Sequence, residues 1–397
     1  MLSQIVGFKH QFFSFFLAFG LIFGVILYER LDLNYTDELM ACILFFYASL
    51  VAWKEHRYQD FKPVLLLISI FIFYILYSFC IHANTPAAIL SDAVCEIKPF
   101  LAFYAVILLS PKLSARDNSM LTILGLIASC FLLIIGLVDT HFNFFVHYSR
   151  YATGVICTFL LLLLCCNYSW KNVMLLLLVL SLGFFSTRSK FYGFWTVTVL
   201  LLTYFKYMGS LRMKWSFFFF LLFVLCVAAW VAREKIIIYY VDGMLSSREM
   251  WSRPAMMLTS LQILVDYFPL GSGLATIGSF ASAQHYSHIY VDYGLDGLWG
   301  LTRQNPMYVC DSYIPVLAQF GIVGLVLYIW FWAKILLTAS RKLLPRWQLV
   351  VWLIFIFFLI EAVADTTFTH NRGLFVMLIL GYVFTQQSSH SHASAQP

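Results

Sequence analysis

Three short stretches carry the side chains best suited to chemistry. The first, STRSK, holds Arg188 and Lys190; the second, SSREMWSRPAMM, holds Arg248 and Arg253 on either side of Trp251; the third, CDSYIPVLAQF, holds Asp311. A guanidinium is planar, stays charged at any relevant pH and grips two phosphate oxygens at once. A carboxylate or histidine beside such a group has the chemistry of a general base toward a hydroxyl. Asp311 is the first candidate for that role, and His288, with His285 and Asp292 close in sequence, is the second. Arg233, Lys235 and Arg303 are further cations in the same interval.

Each group also has a plainer use. Arg188 at a helix end can snorkel toward headgroups, and Arg248 with Arg253 can form a solvated face. Asp311 suits the N-cap of a following helix, where its charge complements the dipole. Glu361 and Asp365, one helical turn apart, are functional candidates, but a helix cap or an ion pair with Arg372 fits them equally. Glu96 and Lys98 can neutralise each other. The H-x-x-H pair of His285 and His288 lacks a third ligand, so no metal is expected, and no cofactor. The glycine-rich GSGLATIG lacks the Lys-Ser/Thr of a phosphate-binding P-loop and reads as a tight turn.

The elements that must position these groups follow from composition. The chain is 62% hydrophobic and 11% charged, with 40 phenylalanines in 397 residues, where a soluble domain carries roughly 25% charged residues. Apolar runs of about 18 residues or more recur from end to end, each long enough to cross a bilayer. The expected class is an all-α integral membrane protein. Of nine cysteines, all but Cys95 and Cys310 lie within apolar runs, where Cys behaves as a small hydrophobe. A Cys95–Cys310 disulfide is the one pairing to consider. The net charge of +6 is scattered over short loops, so no nucleic-acid partner is expected. The first apolar run ends at LYERLD without a small-residue cleavage site and reads as a retained span.

Hydropathy and loop punctuation give about twelve spans: 11–29, 37–53, 63–82, 97–110, 119–138, 151–167, 171–186, 190–207, 215–232, 313–334, 346–364 and 372–387. With the N-terminus cytoplasmic, the lysines and arginines from Lys9 through Arg346 fall largely on that side. Only Arg30, Lys98, Arg150, Arg188, Lys190 and Arg372 occupy short loops on the other. Both termini are therefore expected in the cytoplasm. The organisation is a bundle of nine spans over 1–232, an external loop at 233–312, three spans over 313–387 and a disordered tail at 388–397. Within the loop, Ser246 and Glu249 form the pattern of a capping box. Pro254 should kink that helix or sit in the first turn of a second one. The second helix should end near Tyr267 and lie along the membrane or against the bundle. Trp251 would anchor it at the interface.

On these residues the chain resembles the O-antigen ligase and polymerase family of bacterial envelopes. FFSTRSKFYGFW is similar to the family's small-polar-Arg element between two spans. REMWSRPAMMLTSLQILVDYFPLGSGLATIGSF is similar to its loop signature, and DSYIPVLAQFGIVGLVLYIW to the segment that closes the loop and enters the next span. The likeness covers roughly residues 150–335, with EIKPFLAFYAVI as a weaker echo. The resemblance implies transfer of glycan from undecaprenyl pyrophosphate on the periplasmic face of the inner membrane, without metal or nucleotide. It implies pyrophosphate binding by Arg188 and Arg248, supported by Arg253 and Lys190. Ligases of the family usually have a histidine where this sequence has Asp311 followed by Ser312, which leans toward a polymerase of O-antigen or capsular repeat units. A ligase to lipid A core and a flippase or transporter are the alternatives. The expected partners are the lipid-linked glycan, membrane lipid, and lipid A core or other polysaccharide-assembly proteins.

Overall fold

The computed structural model describes residues 2–31, 35–208, 215–242 and 251–386. Arg248, the Ser246–Glu249 pattern and the tail at 388–397 lie outside the described residues. Among the described residues the chain is all α, its only β feature an isolated bridge between Thr302 and Asn305.

The helices are α1 (Leu2–Phe19, extended by a π-helical stretch Gly20–Ile26), α2 (Thr36–Lys54), α3 (Lys62–Cys80), α4 (Pro86–Leu109), α5 (Ala115–Val138) and α6 (Tyr148–Cys165). They continue with α7 (Trp170–Ser181), α8 (Ser189–Met208), α9 (Trp215–Ile236), α10 (Ser252–Asp266), α11 (Phe280–Gln284) and α12 (Ile289–Asp292). The last three are α13 (Gly321–Lys342), α14 (Pro345–Ala364) and α15 (Asn371–Thr385). Each apolar run named from the sequence falls on one of them. Among the described residues, seven helical stretches are long and apolar enough to cross a membrane: Phe8–Ile26, Thr36–Lys54, Tyr58–Cys80, Ala115–Val138, Tyr148–Cys165, Pro315–Lys342 and Pro345–Ala364. The chain is an all-α membrane protein.

Two helices form the centre. α6 is buried at every position from Tyr151 to Leu164, and α15 at every position from Asn371 to Phe384. A helix apolar on all sides belongs inside a bundle. By contrast α3 and α5 keep rows of large side chains such as Leu65, Ile72, Ile123 and Leu137 on the outside, as lipid-facing helices do.

The fourth helix departs from expectation. The sequence places its start near residue 97, but it begins at Pro86, with the Thr85 side chain accepting from the Ala88 amide. Asp92, Glu96 and Lys98 are therefore interior helix positions, all buried. Glu96 and Lys98 do not neutralise each other. Lys98 pairs with Asp37 and Glu38 of α2, while Glu96 accepts from the Tyr313 hydroxyl at 2.8 Å. Partners on other elements let the helix carry charge without ending.

The interval after α9 holds its own small core, in which Met256 and Ile263 of α10 meet Ile277, Tyr290, Leu301 and Val309. Pro254 sits in the first turn of α10, and Trp251 stands at its N-cap position with extended backbone. α10 packs on a 3-10 turn, Pro315–Phe320, and on α13 beyond it. GSGLATIG is a buried loop rather than a simple turn, and its amides are held from three sides. Leu274 donates to Ser78 Oγ at 2.8 Å, Ala275 to Asp92 Oδ2 at 2.7 Å, and Thr276 to Gln319 Oε1 at 3.0 Å. Gly271 and Gly321 face each other so closely that a Cβ on either would meet the other's backbone nitrogen at 2.3 Å. All nine cysteines are free thiols, so the Cys95–Cys310 disulfide is not formed.

Candidate functional site

Chain direction sorts the helix ends. The starts of α2, α4, α6, α8, α13 and α15 lie at the same end of the bundle as the ends of α3, α5, α9 and α14. Contacts at the opposite end agree, since Lys9 pairs with Glu55, the Lys112 amide reaches His10, and Arg346 reaches the Leu164 carbonyl. Arg188, Lys190, Arg253 and Asp311 therefore share one end with the interval that carries α10.

The segment around Asp311 is fastened to the end of α14. Ser312 Oγ donates to the Ala362 carbonyl and the Tyr313 amide donates to the same oxygen, both at 2.9 Å. Thr366 Oγ1 donates to the Cys310 carbonyl at 3.3 Å. This clamp brings Asp311 near Asp365. On its other side Asp311 meets Arg253, in the first turn of α10, in a direct ion pair. Asp311 is thus not the N-cap of a span: the helix beyond it starts at Gly321, after a 3-10 turn. Burial pushes its carboxyl above the ordinary value, opposed by the Arg253 charge, with Asp365 pushing up and Lys190 down.

Lys190, at the start of α8, reaches both carboxylates at the end of α14, with Nζ 2.8 Å from Glu361 and 2.9 Å from Asp365. Thr367 donates to the same Glu361 oxygen at 2.7 Å. Glu361 and Asp365 therefore pair with Lys190 and not with Arg372, which forms a two-pronged pair with Glu29 at 2.7 and 3.0 Å. Burial alone would raise the Asp365 carboxyl, but Lys190 and then His370 outweigh it and hold it below the ordinary value.

Arg188 turns to the start of α6. Its guanidinium lies 2.9 Å from His147 Nε2 and stacks over the Tyr148 ring. His147 in turn lies within electrostatic reach of Asp365, Lys190 and Arg150. His370, which contacts Thr366 Oγ1 at 2.9 Å, also faces Asp365. Arg253, Asp311, Lys190, Glu361, Asp365, His147, Arg188 and His370 thus form one charged cluster, built from five separate stretches of chain.

His288 is not brought into it. Its ring is half exposed and its closest charged neighbour is Asp292 of its own short helix, at 3.9 Å. His285 contributes only its carbonyl, which accepts from Asn84. Among the described residues no three His, Cys, Asp or Glu side chains are grouped to hold a metal. His147 and His370 escaped the sequence reading. The signal for them was positional, since each immediately precedes an apolar run whose start lies at the same end as Arg188. Compared with models of known protein families and with curated proteins, the chain matches none.

Proposed function

We propose that the chain is a polymerase of O-antigen or capsular repeat units, taking glycan from undecaprenyl pyrophosphate at the external face of the inner membrane. Twelve membrane-crossing helices, with both termini cytoplasmic and α10–α12 outside, complete this reading. The observation that carries it is the meeting of Arg253 and Asp311 beside Lys190 and Asp365 at one end of the bundle. A phosphate-gripping guanidinium and a carboxylate of raised proton affinity are the two parts that the transfer needs. In the reaction, arginines hold the pyrophosphate while Asp311 accepts the proton of the attacking sugar hydroxyl. The new glycosidic bond forms at the anomeric carbon as its bond to the pyrophosphate oxygen breaks, and the electron pair leaves on the phosphate.

A second reading, a transporter of the lipid-linked glycan, is favoured by one observation. Charge is more deeply set than the sequence implies, with Lys98, Asp37, Asp92 and Glu96 all buried, and buried charge is typical of transport pathways.

One gel of envelope polysaccharide from a deletion strain separates these readings. A polymerase defect leaves lipid A core capped by a single repeat unit. A ligase defect leaves bare core with polymer on the lipid carrier. A transporter defect leaves bare core and no external glycan at all.

A further inference from the structure

His147 faces two donors at once. Nδ1 lies 3.3 Å from the Ser149 amide at the start of α6, and Nε2 lies 2.9 Å from the Arg188 guanidinium. A guanidinium and an amide N–H can only donate, whereas a neutral imidazole has one lone-pair nitrogen and one N–H. No protonation state of the ring satisfies both contacts. The neutral ring with its lone pair on Nε2 keeps Arg188. A protonated ring would keep neither and would repel the guanidinium.

The surroundings favour the neutral ring in the absence of ligand. His147 is an exposed residue, yet partial desolvation of its ring is the largest influence and Arg188 the next, and together they lower its proton affinity. Asp365 opposes them, while Lys190 and Arg150 add to them. Other charges on the neighbouring elements are already engaged. Glu29 pairs with Arg372, Asp139 accepts from the Phe144 amide, and His370 contacts Thr366.

We propose that His147 is the proton-linked half of an anion subsite. When a phosphate or pyrophosphate oxygen takes Arg188, Nε2 is released, binds a proton from solvent and donates to the same anion. This rests on the reading of Arg188 as a pyrophosphate ligand and adds a second, switchable donor to it. An anion at Arg188 replaces a repelling cation with an attracting charge, so the imidazolium is favoured in the complex. Proton uptake on binding means that affinity falls as pH rises, by at most about tenfold per pH unit for one proton. The window lies between the depressed titration of the free ring and its higher titration in the complex.

The test is calorimetric titration of the full-length protein in detergent with inorganic pyrophosphate, between about pH 5 and 8 where imidazole titrates. Wild type is compared with His147→Gln, which keeps an acceptor for Arg188 but cannot take a proton. The ligand's own titration is common to both proteins and cancels. The expected result is a steeper loss of affinity with pH in wild type, by up to about tenfold per unit, and buffer-dependent heats absent from the variant. Sulfate, which does not titrate in this range, should show the same proton uptake in wild type alone and needs no variant. Pyrophosphate binding with identical pH profiles in both proteins and no uptake with sulfate would overturn the proposal, while Arg188 as a ligand would stand. Proton-linked binding of phosphatidylglycerol in the micelle, displacing pyrophosphate, would support the subsite but count against the pyrophosphate reading. No binding of either anion would remove both.

Discussion

Arg253 and Asp311, 58 residues apart in the chain, meet in a direct ion pair at the end of the bundle. The first lies in the opening turn of α10, and the second just before the clamp onto Ala362. Their contact joins α10 to the segment clamped on α14, and each group occupies the other. On the proposed polymerase reading, an arriving pyrophosphate that takes Arg253 would leave Asp311 free to accept a proton, so that binding and activation of the base would be one event.

That coupling separates a chemical role from a structural one. Asp311→Asn should lower glycan polymerisation by about 10²- to 10⁴-fold, the usual worth of a general base. The wild-type rate should rise with pH through the titration of Asp311, which burial raises from its ordinary value, and the variant should lack that limb. The exchanged pair Arg253→Asp with Asp311→Arg should restore protein level without restoring polymer. Recovery of polymer by the exchange would reduce the pair to a structural bridge.

Lys190 carries two carboxylates, and all three side chains are largely shielded, Asp365 being the most exposed at 28%. Lys190→Met would strand both acids, and losing one partner of a buried pair costs about 3–5 kcal/mol. The unfolding midpoint in detergent should fall accordingly, and Glu361→Gln should fall less because Asp365 still holds the lysine. Asp365 titrates below its ordinary value in the folded chain, so its stabilisation is present at neutral pH. It is lost as pH falls through the folded value. The midpoint should therefore drop on acidification in wild type, and Asp365→Asn should flatten that drop.

Gly271 and Gly321 test how tightly the buried loop is docked. Both have positive φ, +83° and +59°, and each leaves room only for the other's backbone. Alanine at either adds backbone strain, most at Gly321, whose ψ of −164° puts it in a region held almost only by glycine, and a clash with main chain that no side-chain rotation relieves. Gly294 is the control, with φ +66° but nothing within 4 Å of an added Cβ. Gly271→Ala and Gly321→Ala should fail to accumulate in membranes, while Gly294→Ala should lose only the backbone cost. Equal behaviour of all three would show that the loop can shift.

Much of this fold was legible because hydropathy reports burial in lipid directly. Every apolar run became a helix, and Pro254 marked the first turn of α10. What was hidden depended on contacts between distant segments. Nothing near Lys98 announces Asp37, and nothing near Lys190 announces that Glu361 and Asp365 will straddle it. The start of α4 was misjudged for the same reason, because buried charge looks like a loop until its partners are known. Of the candidate site, Arg188, Lys190, Arg253 and Asp311 were found by type and by lying near helix ends. His147 and His370 were missed because a lone histidine before an apolar run has no local pattern to distinguish it.

The orientation of the bundle yields the last prediction. Basic residues of short loops such as Lys54, Arg57, Lys62, Lys112, Arg116, Arg341 and Arg346 gather at the end away from the charged cluster. On the proposed reading that asymmetry would put their end in the cytoplasm. In a background with the native cysteines replaced, single cysteines at exposed loop positions report the sides. Asn143→Cys and Asp296→Cys should react with a membrane-impermeant maleimide added to intact spheroplasts. Gln59→Cys and Arg116→Cys should react only after lysis. The reverse pattern would place Asp311 and Arg253 in the cytoplasm, beyond reach of a glycan already carried across the membrane, and the polymerase reading would fall with it. Labelling of Asn143→Cys and Gln59→Cys from the same side would contradict the helix order itself, because α3, α4 and α5 separate them.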